Sequence, residues 1–456
     1  MARRPRVKNA SLARLPSDEV PRVAPNHRHL PATFRALRHR NYRLFFFGQL
    51  ISLVGTWMQT IAQQWLVYRL TGSAAMLGMI NLVAVLPLFP LSLWGGSLAD
   101  RFPKRSIILV TQTTMMVLAF ILAVLAWADV VQVWHVVLLA AALGAANAVD
   151  IPARQAFVVE MIEGKEDLAS AIGLNSTIFN GARAVGPALA GVAVAMTGEA
   201  GAFFINGVTF LAVIASLLMM RLPARPPVPR QAKLGSHLQE AVRYVRGQQV
   251  VMILISLVAV SAFLSMPYST LLPVFATDVL HESAQPVLDW VCNGLGTTLG
   301  VNCQSPDALT YGLLMAATGL GAVLGALFVA SLPEHARRGR WLTLGNLGFP
   351  ALVVLMALSR SFLLSAVLLV GIGFSFVAQN ALTNTLIQLA VPDELRGRVM
   401  SFYSLTFQAM MRLGGMQAGL MGDRLGAPLT VGLGAAVCLG YGLFVAWRFP
   451  RVRRMA

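Results

Sequence analysis

The residues most suited to chemistry lie in an apolar stretch, residues 181–191, around the charged side chain of Arg183. The same stretch contains the helix-shaping residues Gly181, Gly186, Pro187 and Gly191. Glycines let two membrane helices approach backbone to backbone, and a proline bends the helix that holds it. A charge in hydrocarbon must face protein or a water-filled cavity. We therefore expect a bent, closely packed helix, in which Arg183 binds an anionic or electron-rich ligand group or pairs with an acid such as Asp150.

Other polar side chains recur at intervals of three and four residues, which places them on one face of a helix. In the first half of the chain the candidates are Gln49, Gln59, Gln63 and Asn180. In the second half they are Gln379, Asn380, Asn384, Gln408 and Arg412. We expect these side chains to line a cavity and bind substrate, because lipid offers no hydrogen-bond partners. The alternative is that they only bond one helix to another.

Asp150 is the acid that could carry a proton. It lies well inside an apolar run, four residues before Arg154, so the two side chains share one face of a helix. An intramembrane carboxyl of this kind often belongs to a proton pathway. We expect Asp150 and Arg154 to couple proton movement to transport. The alternative is a structural ion pair at the inner end of the helix.

The composition and the apolar runs of the sequence predict the helices that would position these residues. Of the 456 residues, 56% are hydrophobic and 12% charged, and the mean hydropathy is +0.67, so we expect an all-α membrane protein. Apolar runs of about 20 residues predict membrane helices. There are twelve such runs, at 44–69, 76–98, 106–127, 133–152, 168–196, 201–221, 248–275, 310–332, 341–359, 361–389, 394–422 and 427–447.

The basic residues indicate the orientation of these helices. All but five of the 36 Lys and Arg fall in segments on one side of them, which is the cytoplasmic side by the positive-inside rule. Topology thus explains the net charge of +17, and we expect no nucleic-acid partner. The predicted organisation is a basic cytoplasmic tail (1–43), a six-helix bundle (44–221), a cytoplasmic linker with an amphipathic helix (222–247), a second six-helix bundle (248–447) and a basic cytoplasmic tail (448–456).

Two cysteines, Cys292 and Cys303, share the long outer loop 276–309. On the oxidising side of a membrane we expect such a pair to form a disulfide, which contributes about 3 kcal/mol in the chain-entropy model. Two free thiols are the alternative. The loop offers too few ligands for a zinc site.

Two short motifs resemble signatures of the major facilitator superfamily. The loop after the second predicted helix resembles the motif Gly-x-Leu-Ala-Asp-Arg-x-Gly-Arg-Lys at Gly96, Leu98, Ala99, Asp100, Arg101, Lys104 and Arg105. Its acid and bases predict a latch on the inner side that breaks when the protein changes state. Residues 181–191 resemble the antiporter motif of the fifth helix, with Ala190 in place of one glycine. The resemblance implies two pseudo-symmetric six-helix halves with a substrate site between them near mid-membrane.

In this superfamily the antiporter motif is associated with exporters. The runs 55–59 and 70–74 further resemble the branch that includes enterobactin exporters and macrolide-efflux proteins. The resemblance implies a monomeric, proton-coupled exporter of an amphiphilic drug or siderophore, working by alternating access in the lipids of the cytoplasmic membrane. A lysophospholipid transporter or lipid flippase is the alternative.

The sequence argues against an enzyme or a sensor. It contains no phosphate-binding glycine loop, no histidine–carboxylate metal motif and no nucleophile with a base nearby on one helix. Neither tail is long enough to hold a folded output domain. We therefore expect no enzymatic activity and no cofactor.

Overall fold

Every regular element is helical in the part of the chain that the computed structural model describes, which is residues 32–87, 91, 102–162, 165–221, 242–295, 305–333 and 336–455. A helix satisfies all its backbone hydrogen bonds within one segment, as a chain in lipid must. This confirms the predicted all-α fold.

The main helices follow one another along the chain. They are α1 (Arg40–Thr71), α2 (Ala74–Val83), α3 (Lys104–Trp127), α4 (Val133–Glu160), the arms α5 and α6 of the bent helix Lys165–Met219, α7 (Gln249–Val279), α8 (Pro306–Ala330), α9 (Arg338–Leu358), α10 (Phe362–Ala390), α11 (Asp393–Leu425) and α12 (Ala427–Arg448). Gly198 separates α5 from α6 with φ 70° and ψ 177°, a conformation that residues with a Cβ rarely adopt. Short helices occupy Ala32–Arg38, His281–Asp289 and Pro450–Arg453.

Nine of the described helices are long and apolar enough to cross a membrane, with the bent helix counted once. The described part of α2 is short, since residues 88–90 and 92–101 lie outside the description. Charged residues at both ends of α11, together with Arg412 inside it, lower its hydropathy. When α5 and α6 are counted separately and α2 and α11 are added, the helices are consistent with twelve spans.

Buried apolar side chains show how the two halves of the chain meet. One cluster contains residues of both halves, including Leu77 and Tyr311, and extends to the helix ends farthest from the chain termini. We call this end of the molecule the distal side and the end near both termini the terminal side. A second cluster, around Phe157, belongs to the first half alone, and a third, around Leu386, to the second half alone. Among the described residues, one large apolar cluster therefore joins the two halves on the distal side. On the terminal side each half has its own cluster.

The short helix Ala32–Arg38 is held against the start of α5 by Asp167. The buried carboxylate of Asp167 lies 2.6 Å from Nη2 of Arg38 and 2.7 Å from Nε2 of His39. Burial alone would raise the pKa of Asp167, but the hydrogen bond from His39 and the charge of Arg38 outweigh it and hold this pKa below its ordinary value. Tyr42 adds a buried hydrogen bond to the carbonyl oxygen of Ala171, 2.8 Å away.

Several predicted features lie outside the described residues. These are the latch residues Gly96, Asp100 and Arg101, the cysteine Cys303, most of the tail 1–43 and most of the linker 222–247. The last part of the linker, residues 242–247, is helical, and Val245 is buried in the cluster of the second half. The disulfide, the complete latch and the domain boundaries therefore stay predictions.

Candidate functional site

A carboxylate of the second half closes the distal side against a helix end of the first half. Asp423, in the last turn of α11, accepts hydrogen bonds from the backbone N–H of Ala74 at 2.6 Å and from the hydroxyl of Ser73 at 2.6 Å. These groups form the N-terminus of α2, where unpaired N–H groups and the helix dipole favour a negative charge. Asp423 thus caps a helix of the opposite half.

Two tyrosines make further polar contacts between the halves. The hydroxyl of Tyr68 in α1 donates to Asp278 in α7 over 2.8 Å, and that of Tyr311 in α8 donates to Gln64 in α1 over 2.7 Å. Asp278 and Asp423 also line a cleft of about 650 Å³ on the distal side. The contacts that hold this side closed are therefore partly reachable by solvent.

The antiporter-like motif provides close backbone packing within and between the halves. A Cβ placed on Gly191 would lie 2.6 Å from Cα of Gly312 in α8, across the interface between the halves. A Cβ on Gly186 would lie 2.5 Å from Cβ of Trp57 in α1, and Pro187 is buried beside it. Gly181, by contrast, has no atom within 4 Å of such a Cβ. Two of the three glycines are therefore required by packing, one of them between the halves.

Arg183 lies between the halves near the middle of α5. Its guanidinium carbon is 5.6 Å from the ring centre of Phe376 in α10, a cation–π contact across the interface. Phe376 belongs to a row of rings from four helices, in the order Tyr268, Phe349, Phe376 and Phe407, with centroids 5.4 to 6.3 Å apart. Among the described side chains, no carboxylate lies within ion-pair distance of Arg183, so the predicted pairing with Asp150 does not form.

Arg412 approaches the same interface from α11. Its Nη1 lies 3.4 Å from Oδ1 of Asn81 in α2, a long contact between the halves. Its Nε is buried and has no hydrogen-bond partner in the described part of the chain. Arg412 follows Phe407, the last ring of this row, by five residues on α11.

Four of the predicted polar residues make hydrogen bonds inside one half. The buried Gln59 accepts from Asn206 in α6, and the buried Gln379 donates to Asn346 in α9 over 2.9 Å. Asn380 accepts from Tyr403 at 3.1 Å, and Asn384 accepts from Gln388. The bonds of Gln59, Gln379 and Asn380 join neighbouring helices and correspond to the alternative of helix-to-helix bonding, whereas that of Asn384 lies within α10.

The other predicted polar residues have varied surroundings. Gln49 is buried, and its Oε1 has no partner in the described residues. Gln63 is half-buried, Gln408 is exposed, and the side chain of Asn180 lies outside the description. Their contact with substrate stays a prediction.

Asp150 is completely buried, and its described contacts lie within the first half. Its Oδ1 accepts hydrogen bonds from Thr111 at 2.8 Å and Gln112 at 3.2 Å, both in α3. Its Oδ2 lies 2.9 Å from Nη2 of Arg154. This arrangement is compatible with both interpretations of the pair, a proton site or a structural ion pair.

Of the latch residues, the structure describes Lys104 and Arg105. Both contact residues of the first half. Lys104 forms an ion pair with Glu160 at the end of α4, and Arg105 donates to the carbonyl oxygen of Leu218 over 3.0 Å. Both contacts lie on the terminal side, where they join neighbouring helix ends.

The sequence interpretation missed the residues that join the halves on the distal side, Asp423, Asp278, Tyr68 and Tyr311. The available signal was an acid within three residues after a predicted apolar run, at positions 278 and 423. The partners could not be inferred, because Asp423 and Ala74 are 349 residues apart in the chain.

Known proteins resemble the chain over most of its length. The staphyloferrin A transporter of Staphylococcus aureus is 23% identical over 85% of this chain and 91% of that protein. The multidrug efflux pump Tap of Mycobacterium tuberculosis is 27% identical over 90% and 94%, respectively. The enterobactin exporter EntS of Shigella boydii is 25% identical over 89% and 90%.

Solved structures share the fold at low sequence identity. An inward-facing, unoccupied bacterial homologue of the human lysosomal transporter Spinster has a TM-score of 0.63 and 14% identity, over 94% of this chain and 99% of that one. The nucleoside transporter NupG has a TM-score of 0.64 and 14% identity, over 94% and 100%. A family profile described as transmembrane secretion effector matches residues 31–300 and 299–455. The chain therefore belongs to the transmembrane secretion effector family of the major facilitator superfamily.

Proposed function

We propose that the chain exports an amphiphilic organic molecule from the cytoplasm by alternating access to the space between its halves. The observation that carries the proposal is the asymmetry of the interface: packing and hydrogen bonds join the halves on the distal side, while the described clusters stay separate on the terminal side. The terminal side is the cytoplasmic one by the positive-inside rule. This conformation would then admit substrate from the cytoplasm.

The relatives support the substrate class. Their names state transport or export of staphyloferrin A and enterobactin, and efflux of multiple drugs. In the chain itself, Arg183 and Arg412 with the neighbouring aromatic rings would provide polar and apolar contacts at mid-depth. Release would require the distal contacts of Asp423, Tyr68 and Tyr311 to break.

Proton coupling is the proposed source of energy. Asp150 is the candidate carrier, because it is a completely buried acid well inside a predicted span and has hydroxyl, amide and guanidinium groups around it. A movement of α3 against α4 would change the contacts of Asp150 with Thr111 and Gln112.

Thermal stability of the purified protein tests the proposal. A ligand that binds only the folded state raises the melting temperature, by an amount that grows with its concentration. We expect stabilisation by a siderophore or an amphiphilic drug, and uptake of the same compound into inverted membrane vesicles under a proton gradient. Stabilisation by lysophospholipid alone would indicate the lipid transporter instead, and stabilisation by a sugar or amino acid would contradict export.

A further inference from the structure

We propose that the space between the halves selects amphiphilic anions, and that Arg183 and Arg412 are the residues that bind their carboxylate or phosphate groups. The inference rests on the proposed export function and adds the charge of the substrate to it. Its basis is a pair of cationic side chains that the described part of the protein leaves without acidic partners.

The acids near the membrane interior are all used elsewhere. Asp150 pairs with Arg154, and Glu199 pairs with Arg69 at 2.7 Å. Asp278 and Asp423 make the distal contacts with Tyr68 and with the N-terminus of α2. Of the 19 acidic residues in the sequence, Asp150 is the one that falls well inside a predicted span. No protein carboxylate is thus available at mid-depth to neutralise the two guanidinium groups among the described residues.

A guanidinium in a poorly solvated place is stabilised by an anion. Arg183 has a cation–π contact, and Arg412 has one long hydrogen bond and a buried Nε without a described partner. Both interactions are weak compared with a bidentate bond between guanidinium and an oxyanion. A carboxylate or phosphate would supply the missing acceptors and offset part of the cost of partly burying the two charges.

The arginines belong to different halves, and both contact the interface between them. Arg183 lies on α5 and Arg412 on α11, and each contacts a residue of the opposite half, Phe376 and Asn81 respectively. An anion bound by either guanidinium would draw that side chain toward itself and weaken its contact with the opposite half. Binding would thereby alter the interface that must open for release.

The row of rings defines the other end of the ligand. Tyr268, Phe349, Phe376 and Phe407 come from α7, α9, α10 and α11, and the row meets Arg183 at Phe376. Aromatic rings bind apolar or aromatic groups by area and by stacking. The site therefore suits a molecule with an anionic head and an apolar or aromatic body.

Three fluorescent probes that differ only in their head group test the inference: pyrenebutyrate, pyrenebutanol and pyrenebutyltrimethylammonium. Each is titrated against the wild-type protein in neutral-lipid nanodiscs. A hydrogen bond to a charged group contributes about 1.5–3 kcal/mol, so we expect pyrenebutyrate to bind about tenfold or more tightly than pyrenebutanol. The ammonium probe is expected to bind more weakly than both.

Variants of the two arginines test whether Arg183 and Arg412 cause the preference for the anionic probe. Arg183→Gln and Arg412→Gln should each lower the affinity for pyrenebutyrate about tenfold relative to the wild type. The affinity for pyrenebutanol should stay within about twofold of the wild-type value. Arg183→Lys and Arg412→Lys keep the charge and should lose less. Arg448→Gln is the matched control, since Arg448 also lies 5.6 Å from an aromatic ring, that of Phe449, but is exposed at the end of α12. It should bind all three probes as the wild type does.

The head-group series on the wild type is decisive even if a variant fails to fold. Equal affinities for the three probes, or tightest binding of the ammonium probe, would overturn anion selection and leave export of amphiphiles standing. Binding of none of them would contradict the exporter proposal as well. Displacement of pyrenebutyrate by lysophosphatidate would support the oxyanion site and identify a lipid head group as its source, while displacement by neither lysophosphatidate nor a free aromatic carboxylate would contradict it.

Discussion

The carboxylate of Asp423 lies 2.6 Å from the backbone nitrogen of Ala74, so that the end of α11 caps the start of α2 in the other half of the molecule. A carboxylate at a helix N-terminus contributes about 0.5–2 kcal/mol through its hydrogen bonds and its interaction with the dipole. Because this cap joins the two halves, its energy favours the closed distal side rather than either half alone.

Asp423→Asn should open the distal side more often, because it removes the charge and weakens the cap. A loss of about 1 kcal/mol corresponds to a roughly fivefold change in the open population. The measurement is the labelling rate of Thr310→Cys, a fully buried position in α8, by a membrane-impermeant thiol reagent in a background without the native cysteines. Asp307→Asn is the control, since Asp307 pairs with His281 within one half. An unchanged labelling rate in Asp423→Asn would show that the cap does not govern opening.

Two glycines of the same motif should respond oppositely to alanine. Gly191→Ala would place a methyl group 2.6 Å from Cα of Gly312 and force α5 and α8 apart, so we expect a lower melting temperature and faster distal labelling. Gly181→Ala meets no atom within 4 Å and should be neutral or stabilising by about 0.5–1 kcal/mol, the helix-propensity gain. Similar effects at both positions would contradict a specific role of Gly191 at the interface.

Asp150→Asn should separate the two interpretations of this acid. If Asp150 carries the proton, the variant should still fold and bind substrate, but transport into inverted vesicles should no longer depend on the pH gradient. Glu160→Gln, which alters an ion pair on the terminal side of the same helix, should keep that dependence. A lower melting temperature with intact coupling would instead identify the pair with Arg154 as structural.

The contact between Asp167 and Arg38 with His39 predicts a pH-dependent stability. Because the pKa of Asp167 is lower in the folded protein than in the unfolded chain, its contribution is fully present above the unfolded value of about 3.9. It is lost as the pH falls through the lower folded-state value. Asp167→Asn should therefore reduce the free energy of unfolding by about 2 kcal/mol at pH 7, and the difference from the wild type should shrink below pH 4. A difference that persists unchanged into acid would rule out the charge as its cause.

The proposed disulfide between Cys292 and Cys303 is tested by mass spectrometry of the unreduced protein. We expect one linked peptide containing both residues, and loss of about 3 kcal/mol of stability on reduction. Recovery of both cysteines as alkylated thiols without reductant would contradict the disulfide.

Much of the fold is encoded locally in the sequence. Because lipid provides no hydrogen-bond partners, each span must be a long apolar helix, and the predicted run 427–447 corresponds closely to α12 at Ala427–Arg448. The motif around Arg183 likewise indicated a helix with close packing and a charge facing protein, and Gly186 and Gly191 indeed lie against other helices. These features depend on residues a few positions apart, so they can be inferred without knowing the neighbours.

The tertiary structure decided which polar side chains face another helix and which face the space between the halves. Helical periodicity shows that Gln59 and Gln63 share a face. Asn206, which donates a hydrogen bond to Gln59, lies 147 residues away in the chain. The same holds for Asp423, whose partner Ala74 belongs to the other half. The sequence shows which residues lie on the same face of a helix. Which residues that face contacts depends on how the twelve helices pack, and this packing is a property of the whole chain.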